Sequence, residues 1–68
     1  MPKLFSSREI VSVLEKKNFV FVSQRGSHGK FENIRLNRIV IVPMNKRQIP
    51  QGTFSSILRQ SNLKKEDF

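Results

Sequence analysis

The spacing of hydrophobic residues changes several times along the chain, and its first pattern is helical. Ile10, Val11, Val13 and Leu14 recur at intervals that place them on one face of a helix over residues 7–17. Ser6 and Glu9 have the spacing of a capping box, in which each side chain satisfies a backbone donor at a helix start. Asn18 follows and tolerates the left-handed conformation that closes helices, so the sequence predicts both ends of this helix.

Three short segments then predict strands over residues 19–22, 28–34 and 39–42. The first is apolar at every position, which predicts that both of its faces are partly covered. Alternation in the second puts Phe31 in the core and places His28, Lys30 and Glu32 on the opposite face. Gly26 with Ser27, and residues 35–37, supply the turns, while Pro43 ends the third strand because it has no backbone donor.

A second helix is predicted after a polar, basic loop over residues 44–49. Pro50, Gly52 and Thr53 mark its start, and its apolar face is formed by Phe54, Ile57 and Leu58. Asn62 is a suitable left-handed stop. The sequence thus predicts one α+β domain over residues 1–68, a three-stranded antiparallel sheet with both helices on one face. Its aromatic core is expected to contain Phe19, Phe21, Phe31 and Phe54.

Composition narrows the classes of function. Thirteen Lys and Arg against five Asp and Glu give a net charge of +8 in 68 residues, which indicates a nucleic-acid binder or a protein with an acidic partner. There is no cysteine and only one histidine, so no metal site and no cofactor are predicted. The apolar segments are too short to span a membrane, and a cytoplasmic location is expected.

Residues 24–31 carry the candidate chemistry. Metal-free RNA cleavage requires a base, an acid and positive charge near the phosphate, and the imidazole of His28 can act in either proton-transfer role near neutral pH. Arg25 and Lys30 flank it, and Gly26 with Ser27 form the adjoining turn. Lys46 and Arg47 follow the third strand and are candidates for phosphate contact. A lone histidine in a strand is, however, more often a surface residue than a catalyst.

Several motifs in order resemble one family. Gly26-Ser27-His28 precedes the second strand, Val42-Pro43-Met44 ends the third, and Pro50-Gln51-Gly52-Thr53 opens the second helix. This arrangement resembles the HicA family of small mRNA-cleaving toxins, whose fold is similar to double-stranded-RNA-binding domains. The resemblance implies a metal-independent endoribonuclease of a toxin-antitoxin module, with His28 as the catalytic residue and a HicB antitoxin covering the site. Implied partners are therefore mRNA and that antitoxin, with no membrane.

Two positions depart from the pattern that the resemblance implies. Many members have a second histidine where this chain has Asn45, and a histidine or basic residue where it has Gly29. A scheme with His28 as the single catalytic histidine is therefore expected, with Arg25, Gly26, Ser27, Lys30, Lys46 and Arg47 binding RNA. Two alternatives stay open: a non-catalytic RNA-binding module of the same fold, and an interaction domain whose basic face holds an acidic partner.

Overall fold

A computed structural model describes residues 3–68. Its elements follow the order helix, three strands, helix: α1 is Ser7–Lys16, β1 is Val20–Arg25, β2 is His28–Asn33, β3 is Arg38–Pro43 and α2 is Gln51–Ser61. A short 3₁₀ helix, Lys65–Asp67, follows α2. The strands form one antiparallel sheet in the order β1, β2, β3. This arrangement confirms the predicted α+β fold.

The ends of α1 form as the sequence predicts. The Ser6 hydroxyl accepts a hydrogen bond from the Glu9 amide at 3.1 Å, and the Glu9 carboxylate accepts one from the Ser6 amide at 2.9 Å. Beyond Lys17, which closes α1, Asn18 has a φ of 71°, and Asn62 closes α2 with a φ of 61°. Short polar side chains make this left-handed region accessible to asparagine, which explains why both predicted helix ends are correct.

The core lies between the sheet and the helices. Ile10 and Leu14 of α1 and Phe54 and Ile57 of α2 are buried. They belong to one cluster with side chains from the strands and connecting segments: Phe19, Phe31, Val40, Val42 and Ile49. Ile49 lies in the loop that the sequence predicted to be polar and basic, so this loop has a buried anchor.

The sheet register divides the strand residues into two faces. On the face toward the core, Phe31 pairs with Val40 and Gly29 pairs with Val42. The opposite face, called the open face below, has three rows of directly paired residues. These rows are Arg25, His28 and Pro43; Ser23, Lys30 and Ile41; and Val20, Glu32 and Ile39. His28, Lys30 and Glu32 thus lie opposite Phe31, as predicted.

The expected burial of β1 is wrong. Its residues are all exposed, and the predicted core residue Phe21 is 51% exposed. Phe21 still contacts the core, because its ring lies edge-on to that of Phe31 with 5.6 Å between centroids. The physical reason is that β1 is an edge strand in a sheet whose helices cover one side, so its continuous apolar sequence does not reflect two covered faces.

Aromatic contacts join the two ends of the described chain. The Phe54 ring lies 5.3 Å from that of Phe5 and 5.1 Å from that of Phe68. Tilted and edge-on contacts of this kind stabilise by about 0.5–1.5 kcal/mol beyond area burial. The segment after α2 is therefore held against the core. Within residues 3–68, no helix has the length and apolar character to cross a membrane.

Candidate nucleic-acid interface

A tight hairpin turn places the histidine. Gly26 has a φ of 59° and is the first of two residues between β1 and β2, the position that type II′ turns reserve for glycine. The Gln24 side chain donates a hydrogen bond to the Gly26 carbonyl at 3.0 Å. The turn leaves Arg25 and His28 as direct partners at the end of the hairpin, and both side chains are exposed.

Positive charge surrounds His28 on the open face. Directly paired residues have Cβ atoms about 4.5–5.5 Å apart, which sets the spacing of His28 and Arg25. Lys30 lies one row further along β2, roughly 7 Å away by the strand rise. The ion pairs within residues 3–68 join Lys3 to Glu9 and Lys17 to Asp67. Neither pair includes Arg25 or Lys30, so both cations are available to an anion next to His28.

The loop between β3 and α2 is fixed to this hairpin through Met44. The Met44 amide donates a 2.6 Å hydrogen bond to the carbonyl of Ser27. A Cβ atom on Gly29 would lie 3.0 Å from the sulfur of Met44 and 3.2 Å from the Phe31 ring. Glycine beside the histidine therefore provides the space in which Met44 packs, and the loop starts in direct contact with the hairpin.

The same loop, residues 44–49, is anchored to the start of α1. Ser7 is 4% exposed, and its hydroxyl donates to the Pro43 carbonyl at 2.6 Å and accepts from the Lys46 amide at 2.9 Å. The Ser7 amide donates to the Lys46 carbonyl at 2.9 Å, and the Ile49 amide donates to the Phe5 carbonyl at 2.7 Å. These bonds fix the backbone that carries Lys46 and Arg47, and we call this segment the anchored loop.

Sequence reasoning did not identify Ser7. It follows the capping residue Ser6 and resembles Ser12, which is exposed on the same helix. No pattern distinguishes these serines, because the partners of Ser7 are backbone groups 36 and 39 residues away. In the sequence, Asn45 stands out only as a substitute for a histidine. It has a φ of 59° within the anchored loop, a conformation that asparagine tolerates better than most residues.

The predicted site residues fall into two groups. Arg25, Gly26, Ser27 and His28 form the hairpin turn, and Lys30 shares its open face. Lys46 and Arg47 lie instead in a groove between the anchored loop and α1. Met44 belongs to both regions, since it bonds to Ser27 and also lines the groove. In the described part of the chain, no three His, Cys, Asp or Glu side chains come together as a metal-binding group.

Comparison with the sequence models of known protein families identifies the family of this chain. The sequence model of a family described as HicA toxin of bacterial toxin-antitoxin matches residues 7–63, which is most of the chain. The chain belongs to the HicA toxin family. It is therefore the toxin component of a toxin-antitoxin module, and membership implies an antitoxin partner. No curated protein matches the sequence significantly.

The HicA match includes both groups of candidate site residues. The hairpin, the open face of β2, and the anchored loop all fall within residues 7–63. The match ends at Leu63, before the 3₁₀ helix and Phe68. The HicA assignment thus covers all five main elements of the fold and the open face on which His28, Arg25 and Lys30 lie together.

Proposed function

We propose that this HicA toxin is a metal-independent endoribonuclease that cleaves mRNA in the cytoplasm, with His28 as its catalytic residue. The observation that carries the proposal is the placement of the sole histidine at an exposed hairpin end, directly paired with Arg25 and one row from Lys30. A proton-transfer group thus lies beside two cations, and it takes part in none of the ion pairs within residues 3–68. This is the arrangement that an attacked phosphodiester requires.

The chemistry is attack of a ribose 2′-oxygen on the adjacent phosphorus. The bond from phosphorus to the 5′-oxygen breaks, which leaves a 2′,3′-cyclic phosphate and a 5′-hydroxyl. His28 as base takes the 2′-hydroxyl proton while solvent protonates the leaving oxygen; as acid, it protonates the leaving oxygen while solvent accepts the 2′ proton. One positioned group of this kind contributes roughly 10² to 10⁴ in rate. We therefore expect slow turnover, which suffices for growth inhibition.

The neighbouring residues have separate roles in this proposal. Arg25 and Lys30 stabilise the charge that develops on the phosphate oxygens. Gly26, which has open space around its Cα, lets the RNA backbone approach the turn. Ser27 positions His28 or the substrate through the turn that its carbonyl fixes to Met44. Lys46 and Arg47 bind phosphates away from the cleaved bond.

Growth arrest tests the proposal in cells. His28→Ala should abolish the arrest caused by expression of the toxin without its antitoxin, while purified His28→Ala keeps its fold and RNA affinity. Ser23→Ala is the matched control, because Ser23 is exposed on the same face in the next row. Arrest that persists in His28→Ala would refute the catalytic role. Lost arrest together with lost RNA affinity would indicate binding instead of catalysis.

We further propose that a HicB-type antitoxin docks on the open face and covers His28. Ile41, Ile39 and Val20 are 38%, 44% and 56% exposed there, in the two rows next to His28. Exposed apolar side chains grouped in this way are typical of protein interaction sites. An acidic, partly apolar partner surface complements both the isoleucines and the cations. Its docking would exclude RNA from the histidine.

A further inference from the structure

The groove between α1 and the anchored loop has a defined shape and an excess of positive charge. It has a volume of about 890 Å³. Arg8 contributes a cation from α1, and Lys46 and Arg47 contribute two from the loop. Glu15 is the one carboxylate among its lining residues. The three cations are exposed, and none of them takes part in the ion pairs of the described chain.

The floor of the groove is less polar than its rims. Val11 and Met44 line it and are half-buried against the core. Ser12 adds an exposed hydroxyl on the α1 side. Cationic rims above an apolar floor match a single RNA strand, whose phosphates contact the cations while its bases lie on apolar atoms. None of the lining residues is aromatic, so phosphate contacts should contribute more than base stacking.

The groove is rigid on both sides and continuous with the hairpin. Its α1 side is a regular helix, and its loop side is held by the buried Ser7 hydroxyl and by the Ile49 amide. Met44 lines the groove, and its amide is bonded to Ser27, the residue before His28. Pro43, the direct partner of His28, precedes Met44 in the chain, so the groove begins next to the end of the hairpin that carries His28.

We infer that this groove is a second RNA-binding site, which holds the nucleotides flanking the cleaved bond and in which Arg8 is a phosphate ligand. The inference deepens the proposed function and rests on it, because the strand is the one presented to His28. The site takes single-stranded RNA through its phosphates. Arg8 and Ser12 add RNA contacts from α1 to those that the hairpin and the anchored loop make.

The test compares RNA length and ionic strength. Binding is measured by fluorescence anisotropy in the His28→Ala background, where no cleavage interferes, with oligoribonucleotides of about four and about sixteen nucleotides. Arg8→Ala should weaken binding of the long RNA several-fold. It should also reduce the slope of log affinity against log salt concentration by about 0.7, the value for the loss of one phosphate contact to a single strand. The short RNA cannot span both sites and is divided between them, so its affinity should fall less than that of the long RNA. Arg8→Lys should restore most of the slope.

Arg35→Ala is the matched control, since Arg35 is exposed in the turn at the other end of β2. Equal effects of Arg8→Ala and Arg35→Ala would overturn the inference, as would equal losses for short and long RNA. A polyglutamate peptide tests the competing occupant: if Arg8→Ala weakens peptide binding but not RNA binding, the groove holds an acidic protein segment. Because binding is measured without cleavage, the result stands apart from the ribonuclease proposal, which the growth assay tests separately.

Discussion

Replacement of Ser7 by alanine should loosen the anchored loop, because it removes two hydrogen bonds that hold the loop to α1. The Ser7 hydroxyl is the donor to Pro43 and the acceptor from Lys46. The net contribution of one hydrogen bond to folding stability is about 0.5–1.5 kcal/mol, and a buried polar group left without a partner costs at least as much. Loss of both bonds should therefore lower the free energy of unfolding by about 1–3 kcal/mol.

The size of this loss makes it easy to measure by thermal unfolding. A domain of 60–100 residues loses about 4–8 °C in Tm per kcal/mol, so a loss near 2 kcal/mol corresponds to roughly 8–16 °C. Ser12→Ala is the matched control, because it removes an exposed hydroxyl from the same helix. Both changes replace a serine of α1 by alanine, so the difference between the two variants reports mainly the buried hydroxyl.

Amide hydrogen exchange locates the effect. The Lys46 amide donates to the Ser7 hydroxyl, and its protection should fall in Ser7→Ala while amides of β2 keep theirs under conditions that favour the native state. RNA affinity should fall as well, because Lys46 and Arg47 lose a fixed backbone. Equal Tm values for Ser7→Ala and Ser12→Ala, with unchanged exchange at Lys46, would refute the role assigned to Ser7.

Three further predictions concern packing, pH and the partner surface. Gly29→Ala should destabilise the fold less in a Met44→Ala background than alone, with a coupling of about 0.5–3 kcal/mol in urea unfolding, because the new methyl group meets Met44 at 3.0 Å; additive losses would contradict this. Hydrogen bonds from the Ser6 amide, and then from Lys3, hold the pKa of Glu9 below its ordinary value of 4.5. The stability that Glu9 contributes should be present above pH 4.5 and be lost as pH falls through its lower folded pKa. The Tm difference between wild type and Glu9→Gln should accordingly shrink in acid; a constant difference would count against it. Ile39→Asp should weaken antitoxin binding in titration calorimetry by roughly 10-fold or more, as expected when a buried isoleucine contact is lost, whereas Leu36→Asp, in the turn outside the open face, should not.

Local sequence chemistry predicted the parts of the fold that depend on neighbouring residues. The capping box of α1, the left-handed Asn18 and Asn62, and the alternation around Phe31 all formed as expected. Each depends on contacts within a few residues or on the two-residue period of a strand. For the same reason the exposed position of His28 could be predicted.

Features set by distant contacts could not be predicted in this way. The apolar sequence of β1 carries no information about which sheet face is left uncovered, and Phe21 was therefore wrongly placed in the core. Ile49 is buried because its loop returns to Phe5, and Ser7 is important because the loop reaches α1. The groove with Arg8 depends on the same long-range contacts, so no spacing in the sequence indicates that Arg8 and Lys46 share a site.

Cleavage of a defined mRNA by the purified toxin, free of its antitoxin and in EDTA, tests the central claim most directly. Wild type should cut the RNA and leave 2′,3′-cyclic phosphate and 5′-hydroxyl ends, and His28→Ala should bind the RNA with similar affinity but leave it intact. Cleavage that EDTA abolishes, or that His28→Ala retains, would contradict the account. Intact RNA that wild type nevertheless binds would identify a binding module instead of a ribonuclease.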